Sequence, residues 1–121
     1  MVKIVYSEQN GSNLIPFLER IEVDGRIVIF EKWGKRLRRY VLSGMEYEKC
    51  VELANNFAAN NTNHSASLDG DCDPAIISVR NLEVRDGDAV FYTRLVSPPS
   101  IGSAEFRQLV DFLVGMERFA R

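Results

Sequence analysis

Few residues of this 121-residue chain are of types that do chemistry in combination. His64 is the only histidine, and it stands in the polar stretch NNTNHSAS. A Ser-His or Cys-His pair needs the base to meet a nucleophile, and no spacing here supplies that meeting. A surface loop histidine is the simpler reading. LDGDCDP spaces Asp69, Asp71 and Asp73 like the first three ligands of a calcium loop, because a hard cation needs several oxygens on a tight turn. Pro74 then stands where the turn requires glycine, and Arg80 where a bidentate glutamate belongs. The expectation is a solvated acidic turn, with no metal and no other cofactor. Neither GxGxxG nor GxxxxGK[ST] occurs. Cys50 and Cys72 form neither a zinc-ligand spacing nor a disulfide framework. With no acid, base and nucleophile to assemble, a non-catalytic protein is expected.

One stretch does point at a partner. KWGKRLRRY, residues 32–40, holds five cations and two aromatic rings and no acid. The whole chain carries −2, so the remainder carries −7 once these five are subtracted. Such a field disfavours wholesale adsorption to nucleic acid and leaves a local patch as the only basic handle. Alternation along a strand sets Leu37, Arg39 and Val41 on one face and Arg38, Tyr40 and Leu42 on the other. Lys32, Trp33, Lys35, Arg36, Arg38, Arg39 and Tyr40 are the candidate surface. Cations that follow phosphates beside rings that stack on bases bind single-stranded DNA or RNA. Two other accounts compete. Basic residues guard exposed edge strands and cover apolar surface with their stems, and Glu46, Glu48 and Glu52 of a nearby helix could pair with the hairpin. An acidic protein partner would use the same cations.

The elements that position this stretch follow from periodicity. Tyr47, Cys50, Val51, Ala54, Phe57 and Ala58 make one apolar face of a helix over 45–59. Phe106, Leu109, Val110, Leu113 and Met116 do so over 103–119, and Ser43 and Ser103 are candidate caps. Strands are expected near 2–7, 15–23, 26–33, 37–43, 66–69, 76–84 and 88–96, with tight hairpin turns at Asp24-Gly25 and Asp86-Gly87. Leu14, Phe17, Leu18 and Ile21 also have helical spacing, with Asn13 as a cap and Pro16 in the first turn, so 14–22 reads as strand or helix. The fold class is α+β: an antiparallel sheet of hairpins with two amphipathic helices on one side. Its length suits a single domain over 1–121.

The helices align at an offset of 59, Tyr47 with Phe106 and Val51 with Val110, and each follows a Glu-Val, Asp-Gly hairpin. Recurrence in the same order suggests a duplication of a strands-then-helix unit, with halves 1–60 and 66–121. RIVIFEKWGKRLRRYVLSGMEYEKCVELANNF and DAVFYTRLVSPPSIGSAEFRQLVDFL resemble, as patterns, the PUR repeats of the Pur-alpha family and the related Whirly-type single-strand binders. That resemblance implies a curved sheet whose last strand runs directly into its helix, a pseudo-dimer of repeats, and a single-strand nucleic-acid surface at the seven residues above. An acidic protein partner, met by a small adaptor, chaperone or immunity-like inhibitor, is the alternative. A small sheet with open edges also admits a homodimer. The start of the chain does not read as a signal peptide and no apolar run is long enough to span a membrane, so a cytoplasmic location is expected.

Overall fold

The computed structural model describes residues 2–10, 19–60, 64–66, 78–97 and 103–121. Along the chain run β1 (Val2–Asn10), β2 (Glu19–Asp24), β3 (Ile27–Lys32), β4 (Arg38–Val41), α1 (Gly44–Ala59), β5 (His64–Ala66), β6 (Ser78–Asp86), β7 (Ala89–Ser97) and α2 (Ala104–Met116). A single 3-10 turn, Glu117–Phe119, follows α2. The class is α+β as expected, with one seven-stranded sheet in the order β4-β3-β2-β1-β6-β7-β5. Six strands pair antiparallel, and β5 joins the far edge parallel to β7.

Alternation decides which face is covered. Ile4 and Tyr6 of β1 stand beside Val23 and Ile21 of β2 and beside Val84 and Leu82 of β6. Val28 and Phe30 continue that row into β3. All eight are buried under the helices. The helices contribute Cys50, Leu53, Ala54 and Phe57 from α1 and Phe106, Leu109, Val110 and Leu113 from α2. Burial raises the Cys50 thiol to about 11, so it behaves as a small apolar side chain. The rings of Phe57 and Phe106 meet at 6.5 Å between centroids and 58° between planes, where the two helices approach.

Both expected caps form. Ser43 Oγ accepts from the Glu46 amide and the Glu46 carboxylate accepts from the Ser43 amide, a reciprocal capping box. Ser103 Oγ accepts from the Phe106 amide. In both hairpins the aspartate ends its strand and glycine opens a two-residue turn: Asp24 pairs with Ile27 and Asp86 with Ala89, with Gly25 and Gly87 at φ 61°. A positive φ at the first turn position matches the twist of the flanking strands and suits glycine.

Glu19–Asp24 is strand, so Ile21 belongs to the sheet; residues 14–18 lie outside the described residues, as do 69–73 of the acidic turn. Turns and caps shared by the two halves are local features and do not themselves show a duplication. β2 and β6 both run antiparallel to β1, and hence in the same direction as each other. Among the described residues no helix is long and apolar enough to cross a membrane.

Candidate functional site

Residues 32–40 form the connection between β3 and β4 at one edge of the sheet. The Lys35 amide donates to the Lys32 carbonyl at 3.0 Å, closing a turn over Trp33 and Gly34. Gly34 sits at φ 73°, the conformation that the third position of a type II turn demands. Beyond it, β4 pairs Arg38 with Phe30, Arg39 with Ile29, Tyr40 with Val28 and Val41 with Ile27. The faces divide as the alternation predicts. Arg38 and Tyr40 turn to the helix-covered face; Arg39 and Val41 turn to the open one.

The covered face commits three of the seven candidates inside the molecule. Glu117, 12 % exposed, accepts from Lys32 Nζ at 2.7 Å and also from the Arg38 guanidinium. Tyr40 donates to Glu46, its hydroxyl lying 2.7 and 2.9 Å from the two carboxylate oxygens. Its ring packs on Phe119 with centroids 5.8 Å apart. The hydrogen bond to Glu46 raises the Tyr40 phenol, and the Ser43 amide followed by the Tyr40 hydroxyl lowers the Glu46 carboxyl. One carboxylate thus ties β4 to the first turn of α1. Glu46 was among the acids expected to meet the hairpin; Glu117, 79 positions from Arg38, was not.

Lys35, Arg36 and Arg39 are exposed and make no ion pair among the described residues, and Trp33 is 51 % exposed. Sequence reasoning missed two further cations. The Arg39 amide donates to the Arg121 carbonyl and the Arg121 amide to the Arg39 carbonyl, both at 3.0 Å, so residue 121 makes one antiparallel rung on β4. A cleft of about 760 Å³ lies on one side of that rung, between Arg39, Tyr40, Val41 and the 118–121 segment. A second, of about 300 Å³, lies on the other side between Ile29, Leu37, Arg38, Arg39 and Arg121. The Arg118 guanidinium stands 4.8 Å from the centroid of Phe119. Arg39, Arg118 and Arg121 therefore converge on one edge, beside the exposed aliphatic side chains Ile27, Leu37 and Val41. A basic residue at the close of α2 was the only signal in the sequence.

Behind this edge lies a pair of carboxyl groups. Glu19 and Glu117 are close enough to shift each other's ionisation, and Glu19 Oε1 is buried without a hydrogen-bond partner among the described residues. Burial raises the Glu19 carboxyl, and the Glu117 charge raises it further against the pull of Lys32. Burial opposes the Glu117 carboxylate too, but the hydrogen bond and charge of Lys32, the bond from Glu19 and the charge of Arg38 together hold it below the usual range. The two carboxyl groups are thus pushed in opposite directions, Glu19 toward holding a proton and Glu117 toward its charge.

A stability consequence follows. The Glu19 contribution is full below its unfolded pKa near 4.5 and is lost as pH rises through the raised folded value. Glu19→Gln keeps a donor and removes the titration. Its thermal midpoint should therefore gain on that of the unchanged protein as pH climbs from about 4 to 8. Parallel profiles for the two proteins would show that Glu19 holds no proton in the fold.

Among the described residues no group of three or more histidine, cysteine, aspartate or glutamate side chains is arranged to hold a metal ion. No protein-family model matches the chain, and no curated protein matches it.

Proposed function

We propose that the chain is a small non-catalytic binding module that holds an acidic protein segment at the β4 edge. The observation that supports this reading is the company that Arg39, Arg118 and Arg121 keep. The three arginines line one cleft with Val41, and Arg39 and Arg121 also line the next with Leu37. Ile27 pairs with Val41 across the strands, and Ile27, Leu37 and Val41 are 41 %, 57 % and 59 % exposed. Arginine beside exposed aliphatic surface suits a protein that presents carboxylates next to apolar side chains. A guanidinium group can also bind a carboxylate through two bonds of its planar fork, which an ammonium cannot. The open face further along the sheet carries Glu22 and Glu31, paired with Lys3 and Arg20. Those pairs balance in charge and leave no basic track for a phosphate backbone laid across the strands.

A second reading rests on Trp33 and Phe119, aromatic rings that are both about half exposed. Such rings stack on bases, and single-stranded DNA or RNA is the partner that the PUR-repeat resemblance implies. Titrating polyglutamate and oligothymidylate of matched charge, each at two salt concentrations, separates the two. The primary reading expects Arg39→Glu with Arg121→Glu to abolish polyglutamate binding, and oligothymidylate to leave Trp33 fluorescence unchanged. Quenching of Trp33 by oligothymidylate, lost in that variant and steeply weakened by salt, would replace it with the nucleic-acid reading.

A further inference from the structure

We propose that the outer edge of β4 is a strand-addition site for an extended acidic peptide, with Ala120–Arg121 as the segment that occupies it in the peptide's absence. The inference rests on the acidic-partner reading above and specifies how that partner is held. Its basis is the direction of the backbone groups. In an antiparallel pair, successive residues turn their N–H and C=O alternately toward and away from the neighbouring strand. The Leu42 amide donates to the Arg26 carbonyl at 2.7 Å, on the β3 side. Two residues back along the strand, Tyr40 faces β3 as well, so Arg39 and Val41 face outward. Arg39 spends both outward groups on Arg121. Val41, the next outward residue, bonds nothing among the described residues.

Among the described residues the Arg39 rung is the only pairing on this edge, and Val41 beside it is left open. An unpaired row of backbone groups is a template for another chain, and many peptide partners are captured by joining such an edge. The resident segment shows that the edge accepts an antiparallel strand. Ala120 is already extended, at φ −72° and ψ 145°. A longer strand in the same direction would take the Arg39 rung and add one at Val41. Residues of that strand opposite Arg39 and Val41 lie on the open face, where Arg39 favours acids. Residues between them fall toward Tyr40 and Phe119 and favour apolar side chains. Alternating acidic and apolar residues are therefore the matching sequence.

The probe is a capped hexapeptide that alternates glutamate and valine, titrated into the full chain and followed through the Arg39 and Val41 amide resonances and their exchange. Two control peptides carry N-methyl groups, one on every glutamate and one on every valine. Strand addition expects the parent peptide to protect the Val41 amide and to displace the Arg121 amide from Arg39. Methylation at glutamate, whose amides face β4, should abolish binding, and methylation at valine should be tolerated. Val41→Pro removes an outward donor, which edge strands tolerate, and should weaken binding by roughly tenfold or more. Val41→Ala, which trims the side chain and keeps the donor, should not. Equal binding of both methylated peptides would overturn strand addition while leaving the acidic-partner reading in place. Failure of every acidic peptide at millimolar concentration would overturn both. Shifts at the arginines with oligothymidylate but not with the peptides would do the same in favour of nucleic acid.

Discussion

Phe106→Ala should cost about 3–5 kcal/mol of folding stability, the range for removing a buried ring that neighbours cannot replace. Phe106 is fully buried. It meets Phe57 of α1 at 6.5 Å, and the Arg80 guanidinium lies 5.3 Å from its centroid. Truncation would open a cavity where α2 meets both α1 and β6, and would take the ring face away from a cation. A domain of this size has about 5–15 kcal/mol in total, so the loss is a large share of it. Urea unfolding should show a lower midpoint at an unchanged slope. Phe106→Leu, which keeps most of the volume, should recover most of the loss. A loss below about 1 kcal/mol for the alanine variant would mean that α2 does not seat its ring in the core.

That ring was readable from the sequence because it belongs to a period. Phe106, Leu109, Val110 and Leu113 recur every third or fourth residue, and all four are buried. The same holds for Cys50, Ala54 and Phe57, although Leu53 was left out of the face and is 7 % exposed. Strand positions and faces were legible from alternation, and both caps from a serine ahead of a glutamate. The order of strands was not. β1 sits between β2 and β6 because burying Ile4 and Tyr6 on one face leaves both its edges to be paired. No local pattern encodes that choice. The parallel partner of β7, β5, is three residues long and gave only a weak sequence signal.

At the candidate site, composition located the basic hairpin but could not divide it. Which cations face outward depends on what stands opposite them, and the opposite wall comes from the other end of the chain. The helical period was read through to residue 119, whereas α2 ends at Met116 and tightens into a 3-10 turn. The tighter winding carries Glu117 to Lys32 and Arg38, and Phe119 to Tyr40. Three of the seven expected surface residues are committed by those contacts and the Glu46 bond. Arg118 and Arg121 take their places. Long-range pairing of single charges leaves no periodic trace, which is why the acidic-partner reading draws on the structure more than on the hairpin's composition.

Glu117→Ala tests that arrangement most directly, and its expected cost is about 1–3 kcal/mol. Breaking a fully buried ion pair would cost more, but Lys32 and Arg38 are 42 % and 38 % exposed, so water repays part of the loss. The dependence on pH has a definite sign. The Glu117 carboxyl is held below its unfolded value, so its contribution is full above the ordinary carboxylate range and fades as pH falls through the lowered one. The gap in stability between the variant and the unchanged protein should therefore close on acidification. Locally, losing Glu117 frees the 3-10 turn, and the Arg39–Arg121 rung should exchange its amide protons faster. The effect on binding then decides what the 117–121 segment is. If it merely occupies the β4 edge, the variant should hold the glutamate–valine peptide more tightly, because the edge is vacated and two cations lose their internal partner. Should affinity fall although the edge has become more positive, the segment is not displaced by the peptide: that outcome speaks against strand addition and leaves Arg118 and Arg121 as part of the acidic-partner surface that Glu117 positions.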